Sequence, residues 1–281
     1  MFKYIILGVV QGLTEFFPIS SSAHLIIAQK LLGILEQRVF ISVVLHLGTT
    51  LALIVFFFKD IVAALRNRRA LIFIAIAVFV TAAIGIPGKN FFESLFASSF
   101  VAALGLIFSG VILILTRRFM QAKRNNTTPL ANPAFKGGDK GGFSIPPLGT
   151  TEAYSPGRLH FNYKDAFVLG LAQGLAIVPG ISRSGVTISA LLFRRLDKET
   201  SFRLSFIASI PIVLGAILLK IREIDNFSNL NLRGLSAGFI FSFVFGIIAL
   251  KILKAFLEQA KLHYFGYYCI LLAVVTIIFL R

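Results

Sequence analysis

Four ionisable side chains lie inside otherwise apolar stretches of this chain: Glu15, His24, His46 and Arg183. A charge at the centre of a bilayer costs at least about 2.5–3.5 kcal/mol, so such residues usually pair with one another and mark a site. Arg183 presents a planar fork of donors that suits phosphate oxygens. Glu15 cannot bind phosphate directly but could hold a divalent cation that does. These residue types therefore favour a site for a phosphate-bearing ligand.

Groups able to transfer protons or attack phosphorus lie beside the first of these charges. Ser20, Ser21 and Ser22 precede His24. Because His24 lies three residues beyond Ser21, the two can share one helical face, and we favour Ser21 as nucleophile with His24 assisting it. Direct attack by His24 or by a metal-bound water stays open. So does the interpretation that these serines only cap a broken helix.

Arg183 also lies among polar residues, and this setting predicts an anion-binding site. Ser182 and Ser184 flank Arg183 and supply hydroxyls, and Gly180 lets backbone N–H groups approach a ligand closely. A helix that begins near Ser184 would direct its positive end at the same anion. Two structural alternatives remain: Glu15 and Arg183 could form a purely structural pair, and for His46, alone in its span, a structural hydrogen bond between helices is favoured.

The elements that carry these residues are two copies of one segment. Residues 7–22 and 169–184 align without a gap at a spacing of 162, and eight of the sixteen pairs are identical. The two copies differ in their charges, because Ile177 stands at the position of Glu15 and Ser21 at the position of Arg183. The first copy therefore carries the acid and the second copy carries the base. A Pro/Gly/Ser cluster breaks each copy after about a dozen residues. Each copy is therefore predicted to be a re-entrant helical hairpin, whose irregular backbone requires protein or a water-filled cavity around it.

The rest of the chain predicts transmembrane helices, because 57% of the residues are hydrophobic and only 14% are charged. We expect six spans: Ile41–Phe58, Ala70–Pro87, Ser99–Thr116, Leu204–Leu219, Gly234–Leu250 and His263–Leu280. Each half is then one hairpin plus three spans, and the odd number of crossings inverts the second half. The expected fold is an all-α polytopic membrane protein, a single domain of residues 1–281. It comprises a first repeat (1–119), a flexible cytoplasmic linker (120–162) and an inverted second repeat (163–281).

The basic residues predict the orientation. The net charge of +16 resides in short loops between apolar spans, which argues against nucleic acid as a partner. Nineteen Lys and Arg fall on one predicted side and eight on the other, so the first side is cytoplasmic, and both termini and the first hairpin face outside. Cys269, the single cysteine, excludes an intramolecular disulfide. The sequence does not fix the oligomeric state, and a homodimer is compatible with it.

Two motifs carry a resemblance to a known family. The segments QGLTE (11–15) with PISSSAH (18–24), and PGISRSG (179–185), resemble the signatures of the BacA/UppP family of undecaprenyl pyrophosphate phosphatases, and the match covers essentially the whole chain. The resemblance implies hydrolysis of undecaprenyl diphosphate to the monophosphate in a bacterial plasma membrane, recycling of this lipid carrier for cell-wall synthesis, and bacitracin resistance, since bacitracin competes for the substrate. It also implies dependence on Mg²⁺ or Ca²⁺ and a site open to the outer face.

The resemblance assigns roles to individual positions. Glu15 is the acidic, metal-linked residue, Ser21 and His24 belong to the catalytic group, and Arg183 binds phosphate. Gln11 departs from the many members that have Glu there, so we assign it only an orienting role or that of a neutral oxygen ligand. One different function stays open, because broken helices that meet at the midplane also occur in secondary transporters. Such a transporter or flippase would bind a lipid phosphate or another anion without chemistry.

Overall fold

The chain folds into helices packed around two interrupted segments. The structure, a computed structural model, describes residues 1–34, 38–96, 98–125, 162–222 and 231–279. Within these ranges it has twelve helices and no β-strand. The helices are α1 Phe2–Phe16, α2 Ser21–Leu31, α3 Arg38–Phe56, α4 Phe58–Leu65, α5 Arg68–Gly85, α6 Lys89–Leu95, α7 Ser99–Asn125, α8 Tyr163–Leu175, α9 Arg183–Phe193, α10 Lys198–Arg222, α11 Leu232–Glu258 and α12 His263–Phe279.

Five of the described helices are long and apolar enough to cross a membrane: α3, α5, α7, α10 and α11. They coincide with the first five predicted spans. The sixth prediction corresponds to α12, which has 17 described residues and is classed with the shorter apolar helices. The last predicted residue of this span, Leu280, lies outside the described residues. The described part of the chain is therefore all-helical, and its five long apolar helices indicate a multi-pass membrane protein.

Several boundaries differ from the sequence prediction. Helix α3 ends at Phe56, two residues before the predicted end at Phe58, because the backbone of Phe57 leaves the helical region. A separate helix, α4, begins at Phe58. This extra helix brings Asp60 to 3.2 Å from Arg203 of α10. Helix α7 continues to Asn125, into the segment predicted as linker from Met120. The remainder of that predicted linker, 126–161, lies outside the described residues. Helix α6 was not predicted.

The two interrupted segments pack reciprocally against the opposite half of the chain. Helix α1 packs along α11, and its copy α8 packs along α5. The repeated glycines make this approach close: a Cβ on Gly12 would lie 2.8 Å from Ser242 O, and one on Gly170 would lie 2.7 Å from Ala77 O. Small residues let helix backbones approach in this way. Helices α3 with α10, and α7 with α12, form further contacts between the halves.

Candidate functional site

The first interruption lies between α1 and α2 and is determined by Pro18. Helix α1 ends at Phe16, and Phe17 has an extended backbone (φ −62°, ψ 141°), as expected of a residue that precedes proline. Ser20 follows with φ 66°, a left-handed conformation that is uncommon for a residue with a side chain. Helix α2 then starts at Ser21. This turn places the serine cluster immediately beyond the end of α1, where Glu15 lies.

The second interruption lies between α8 and α9 and has Arg183 at its exit. Ser182 caps α9, and its Oγ accepts the N–H of Gly185 at 3.2 Å. Ser109 of α7 anchors the turn, because its Oγ accepts the Ser182 N–H at 2.9 Å. Gly180 has φ 85° and faces the backbone of Ala102, so a side chain there would collide with α7. Packing therefore accounts for Gly180, and contact of its N–H with a ligand stays a prediction.

The two interruptions meet at a single carboxylate. Glu15 Oε1 accepts a hydrogen bond from Arg183 Nη2, which lies 168 positions away in the sequence. Glu15 Oε2 accepts from Gln11 Nε2 at 3.0 Å and from Ser21 Oγ at 2.7 Å. The Glu15 side chain is 4% exposed and that of Arg183 is 28% exposed. The three donors that bond to the buried carboxylate therefore all belong to the two copies of the repeated segment.

This arrangement changes the pairing expected for Ser21. His24 does not hydrogen-bond to Ser21: its Nδ1 lies 2.8 Å from Ser20 O and its Nε2 lies 2.7 Å from Tyr268 Oη. Since Ser21 donates to Glu15, the proton acceptor next to this hydroxyl is the carboxylate. The sequence placed Ser21 and His24 on the same helix correctly but could not show that the turn directs the hydroxyl back towards α1.

His46 belongs to this site, although the sequence favoured a structural role for it. Its Nδ1 lies 2.7 Å from Ser42 O, one turn earlier in α3, and its Nε2 lies 3.6 Å from Glu15 Oε2. The separation from Glu15 exceeds a direct hydrogen bond, so the two groups interact as neighbours across a short gap. The sequence singled out His46 as an ionisable residue in an apolar span, but it carried no sign that Glu15 would be its neighbour.

Exposure divides the serines into two groups. Ser21 and Ser22 are partly exposed, as is His24. Ser20, Ser182 and Ser184 are at most 4% exposed. Ser20 Oγ lies 3.3 Å from Ser22 Oγ, and Ser182 Oγ lies 3.3 Å from Ser184 Oγ. The hydroxyls that a ligand can reach are therefore those of Ser21 and Ser22.

The donor set for a metal ion is small. Among the described residues, no group of three His, Cys, Asp or Glu side chains comes together as metal ligands would. Near Glu15, the buried Oε1 of Gln11 has no hydrogen-bond partner within the described ranges. Mg²⁺ is commonly held by one or two protein carboxylates together with substrate phosphates. The residues therefore fit a cation only if water and a bound phosphate supply most of its ligands.

Comparison with known proteins identifies the family of this chain. The family model described as bacitracin resistance protein BacA matches residues 4–275. An undecaprenyl-diphosphatase of Carboxydothermus hydrogenoformans is 35% identical, with 99% of this chain and 96% of that protein aligned. Undecaprenyl-diphosphatases of Halothermothrix orenii and Methanosphaera stadtmanae are 34% and 35% identical, over 99% and 98% of this chain and 97% and 96% of those proteins. These matches confirm the family predicted from the two motifs.

Proposed function

This chain belongs to the bacitracin resistance protein BacA family, and we propose that it hydrolyses undecaprenyl diphosphate to undecaprenyl monophosphate and phosphate. The observation that carries the proposal is the joining of Glu15, Ser21 and Arg183 in one hydrogen-bonded network. A positively charged fork, a hydroxyl and a carboxylate within one network are the groups that phosphoryl transfer requires. The relatives supply the identity of the lipid substrate.

Arg183 is the proposed holder of the terminal phosphate. A guanidinium has five N–H donors, so the bond to Glu15 leaves donors for phosphate oxygens. Arg183 is also the first residue of α9, whose free N–H groups and positive dipole end attract an anion at the same place. Ser184 and Ser182 line this end of the helix, and Ser22 and Ser20 line the opposite turn. Exposure supports Ser22 as a substrate contact, and contacts from the buried Ser20, Ser182 and Ser184 stay a prediction.

Ser21 is the proposed nucleophile. Its Oγ attacks the terminal phosphorus, the bond from phosphorus to the bridging oxygen breaks, and undecaprenyl monophosphate leaves. The Ser21 proton passes to Glu15 Oε2, to which the hydroxyl already donates at 2.7 Å. Water then attacks the phosphoserine and its proton passes to His24 Nε2, while the bond from phosphorus to Ser21 Oγ breaks, Glu15 returns its proton to Oγ, and phosphate leaves. Arg183 offsets the negative charge that develops on the phosphoryl oxygens in both steps.

A divalent cation, Mg²⁺ or Ca²⁺, is a further part of the proposal. Glu15 and the unpaired Oε1 of Gln11 would hold it, and the diphosphate would complete its ligands. When bound, such an ion polarises the phosphate oxygens. Isothermal titration of Mg²⁺ into the protein, with and without a non-hydrolysable diphosphate analogue, tests this: measurable binding only with the analogue supports it. Equal binding in the Glu15→Gln variant would contradict it.

The proposed membrane arrangement follows from the repeat. Helices α1–α2 and α8–α9 form two re-entrant hairpins in an inverted-topology repeat (1–119 and 163–281), in a bacterial plasma membrane, with both termini and the site open to the outer face. The reciprocal packing of α1 on α11 and of α8 on α5 supports the repeat. Single cysteines introduced as Lys3→Cys and Arg66→Cys test the orientation, because buried Cys269 gives little background. An impermeant maleimide should label the first from outside and leave the second unlabelled.

Recycling of the lipid carrier for peptidoglycan synthesis follows from this reaction. Bacitracin competes for the same lipid diphosphate, so overproduction of the protein should raise bacitracin resistance. Membrane lipids are expected to contact the exposed apolar faces of the helices. A homodimer stays a prediction, and light scattering of the detergent-solubilised protein tests it.

Product analysis distinguishes hydrolysis from transport. Purified protein in detergent has no second compartment, so a transporter would leave undecaprenyl diphosphate intact. We expect one phosphate released for each undecaprenyl monophosphate formed. Intact substrate after incubation with folded protein would contradict the proposed reaction.

A further inference from the structure

Helix α12 contacts the first hairpin along one face, and this face is not part of either signature motif. Phe265, Tyr268 and Cys269 lie at positions i, i+3 and i+4, which share one side of a helix. The Phe265 ring lies 5.2 Å from the ring of Phe17. Cys269 Sγ donates to Pro18 O at 3.3 Å. The last helix therefore holds the turn that leads into the serine cluster.

Tyr268 extends this face to His24. Its Oη lies 2.7 Å from His24 Nε2, and the two rings stack with centroids 5.7 Å apart and planes inclined by 15°. A backbone carbonyl can only accept, so His24 Nδ1 must carry the proton that it donates to Ser20 O. In the neutral ring Nε2 then bears the lone pair, and the Tyr268 hydroxyl donates to it. Tyr268 thus contacts the one ring atom that can accept a proton or attack phosphorus.

We propose that Tyr268 is a positioning residue for the phosphatase reaction: it holds His24 in the Nδ1–H tautomer by donating to Nε2, and it gives up this lone pair when the attacking water takes its place. The two ends of the imidazole are fixed by groups from different parts of the chain, Ser20 O and Tyr268 Oη. Hydrogen bonds at both nitrogens restrict rotation of the ring, so its tautomer and orientation are kept between turnovers. This inference rests on the proposed catalytic role of His24.

The substitution that tests the inference is Tyr268→Phe, which keeps the stacked ring and removes only the hydroxyl. Tyr267→Phe is the matched control, because its ring contacts His263, whereas the ring of Tyr268 contacts His24. We expect kcat of Tyr268→Phe to fall by about three- to tenfold, the size of one hydrogen bond, with KM and the unfolding temperature unchanged. Tyr267→Phe should behave as the wild type. An unchanged kcat in Tyr268→Phe, or an increased one, would overturn the inference.

A second set of variants separates this inference from the proposed function. If Tyr268 acts through His24, adding Tyr268→Phe to His24→Ala should not lower the residual rate further. A multiplicative loss in the double variant would contradict action through His24. Retention of wild-type activity by His24→Ala would instead refute the role of His24 itself. Loss of activity in His24→Ala with a normal Tyr268→Phe would leave the proposed function standing and refute only the positioning role.

Nitrogen NMR reports the tautomer directly. In protein labelled with ¹⁵N-histidine, the His24 signals are those that disappear in His24→Ala. We expect a protonated Nδ1, and an Nε2 resonance that shifts in Tyr268→Phe and stays in place in Tyr267→Phe. A proton on Nε2 in the wild type would contradict the arrangement from which the inference is drawn.

Discussion

Breaking the ion pair between Glu15 and Arg183 should destabilise the protein, and removing both charges should restore much of the loss. The pair joins the two copies of the repeated segment, and the carboxylate is 4% exposed. Arg183→Met leaves an unpaired buried carboxylate, and Glu15→Gln leaves an unpaired guanidinium. In the double variant neither charge remains, so the desolvation cost disappears along with the attraction.

The expected size follows from the exposure of the two groups. Removing one partner of a buried ion pair typically costs about 3–5 kcal/mol. Arg183 is 28% exposed, and Glu15 keeps hydrogen bonds from Gln11 and Ser21. We therefore expect about 2 kcal/mol for Arg183→Met, a decrease of roughly 4–8 °C in unfolding temperature. Glu15→Gln should cost less, about 1 kcal/mol, because the guanidinium that it leaves can reach water.

The single cysteine provides the assay. Cys269 is fully buried, so a thiol-reactive fluorogenic dye reports its exposure as the detergent-solubilised protein unfolds on heating. Arg222→Met, at the exposed end of α10, is the matched control and should leave the unfolding temperature unchanged. The double variant should be more stable than Arg183→Met. Additive losses, or an Arg183→Met variant as stable as the wild type, would refute the claim that this pair joins the two copies.

Three further substitutions test other parts of the account. Ser21→Ala should lower kcat by at least about a hundredfold if Ser21 is the nucleophile; a loss of only a few-fold would indicate attack by His24 or water. His46→Gln should lower kcat/KM by about tenfold through its proximity to Glu15; an unchanged kcat/KM would assign His46 a packing role. Burial raises the pKa of Asp60, although Arg203 beside it acts in the opposite direction. The folded state then binds this proton more tightly than the unfolded state, so wild-type stability relative to Asp60→Asn should rise as the pH falls from about 7 to 4. A falling difference would contradict this.

The sequence predicted the helical spans well because their signal is local. A run of apolar residues long enough to cross a bilayer is visible without any tertiary information, and five spans appeared where composition placed them. The end of α3 was wrong by two residues, because the break at Phe57 depends on where α4 packs, and a uniformly apolar run carries no sign of it. The short helix α6 lacked a comparable signal.

The sequence identified residues of the site but not the hydrogen bonds between them. Scarcity of charge in apolar segments identified Glu15 and Arg183, and the duplication indicated that they belong together. Which acceptor Ser21 faces depends on the Phe17–Ser20 turn, where a left-handed Ser20 reverses the chain. Tyr268 was not predicted, because its contact with His24 spans 244 positions and one of three nearby tyrosines has no distinguishing pattern.

The most direct test of the account is the rate of phosphate release from undecaprenyl diphosphate by purified wild type, Arg183→Ala and Arg222→Ala in detergent. The account predicts release by the wild type and by Arg222→Ala. It predicts a loss of at least about a hundredfold in Arg183→Ala, since Arg183 supplies the charge-assisted contacts to the transferred phosphoryl group. Equal release by Arg183→Ala and the wild type would contradict the claim that the two copies of the repeat form one phosphatase site.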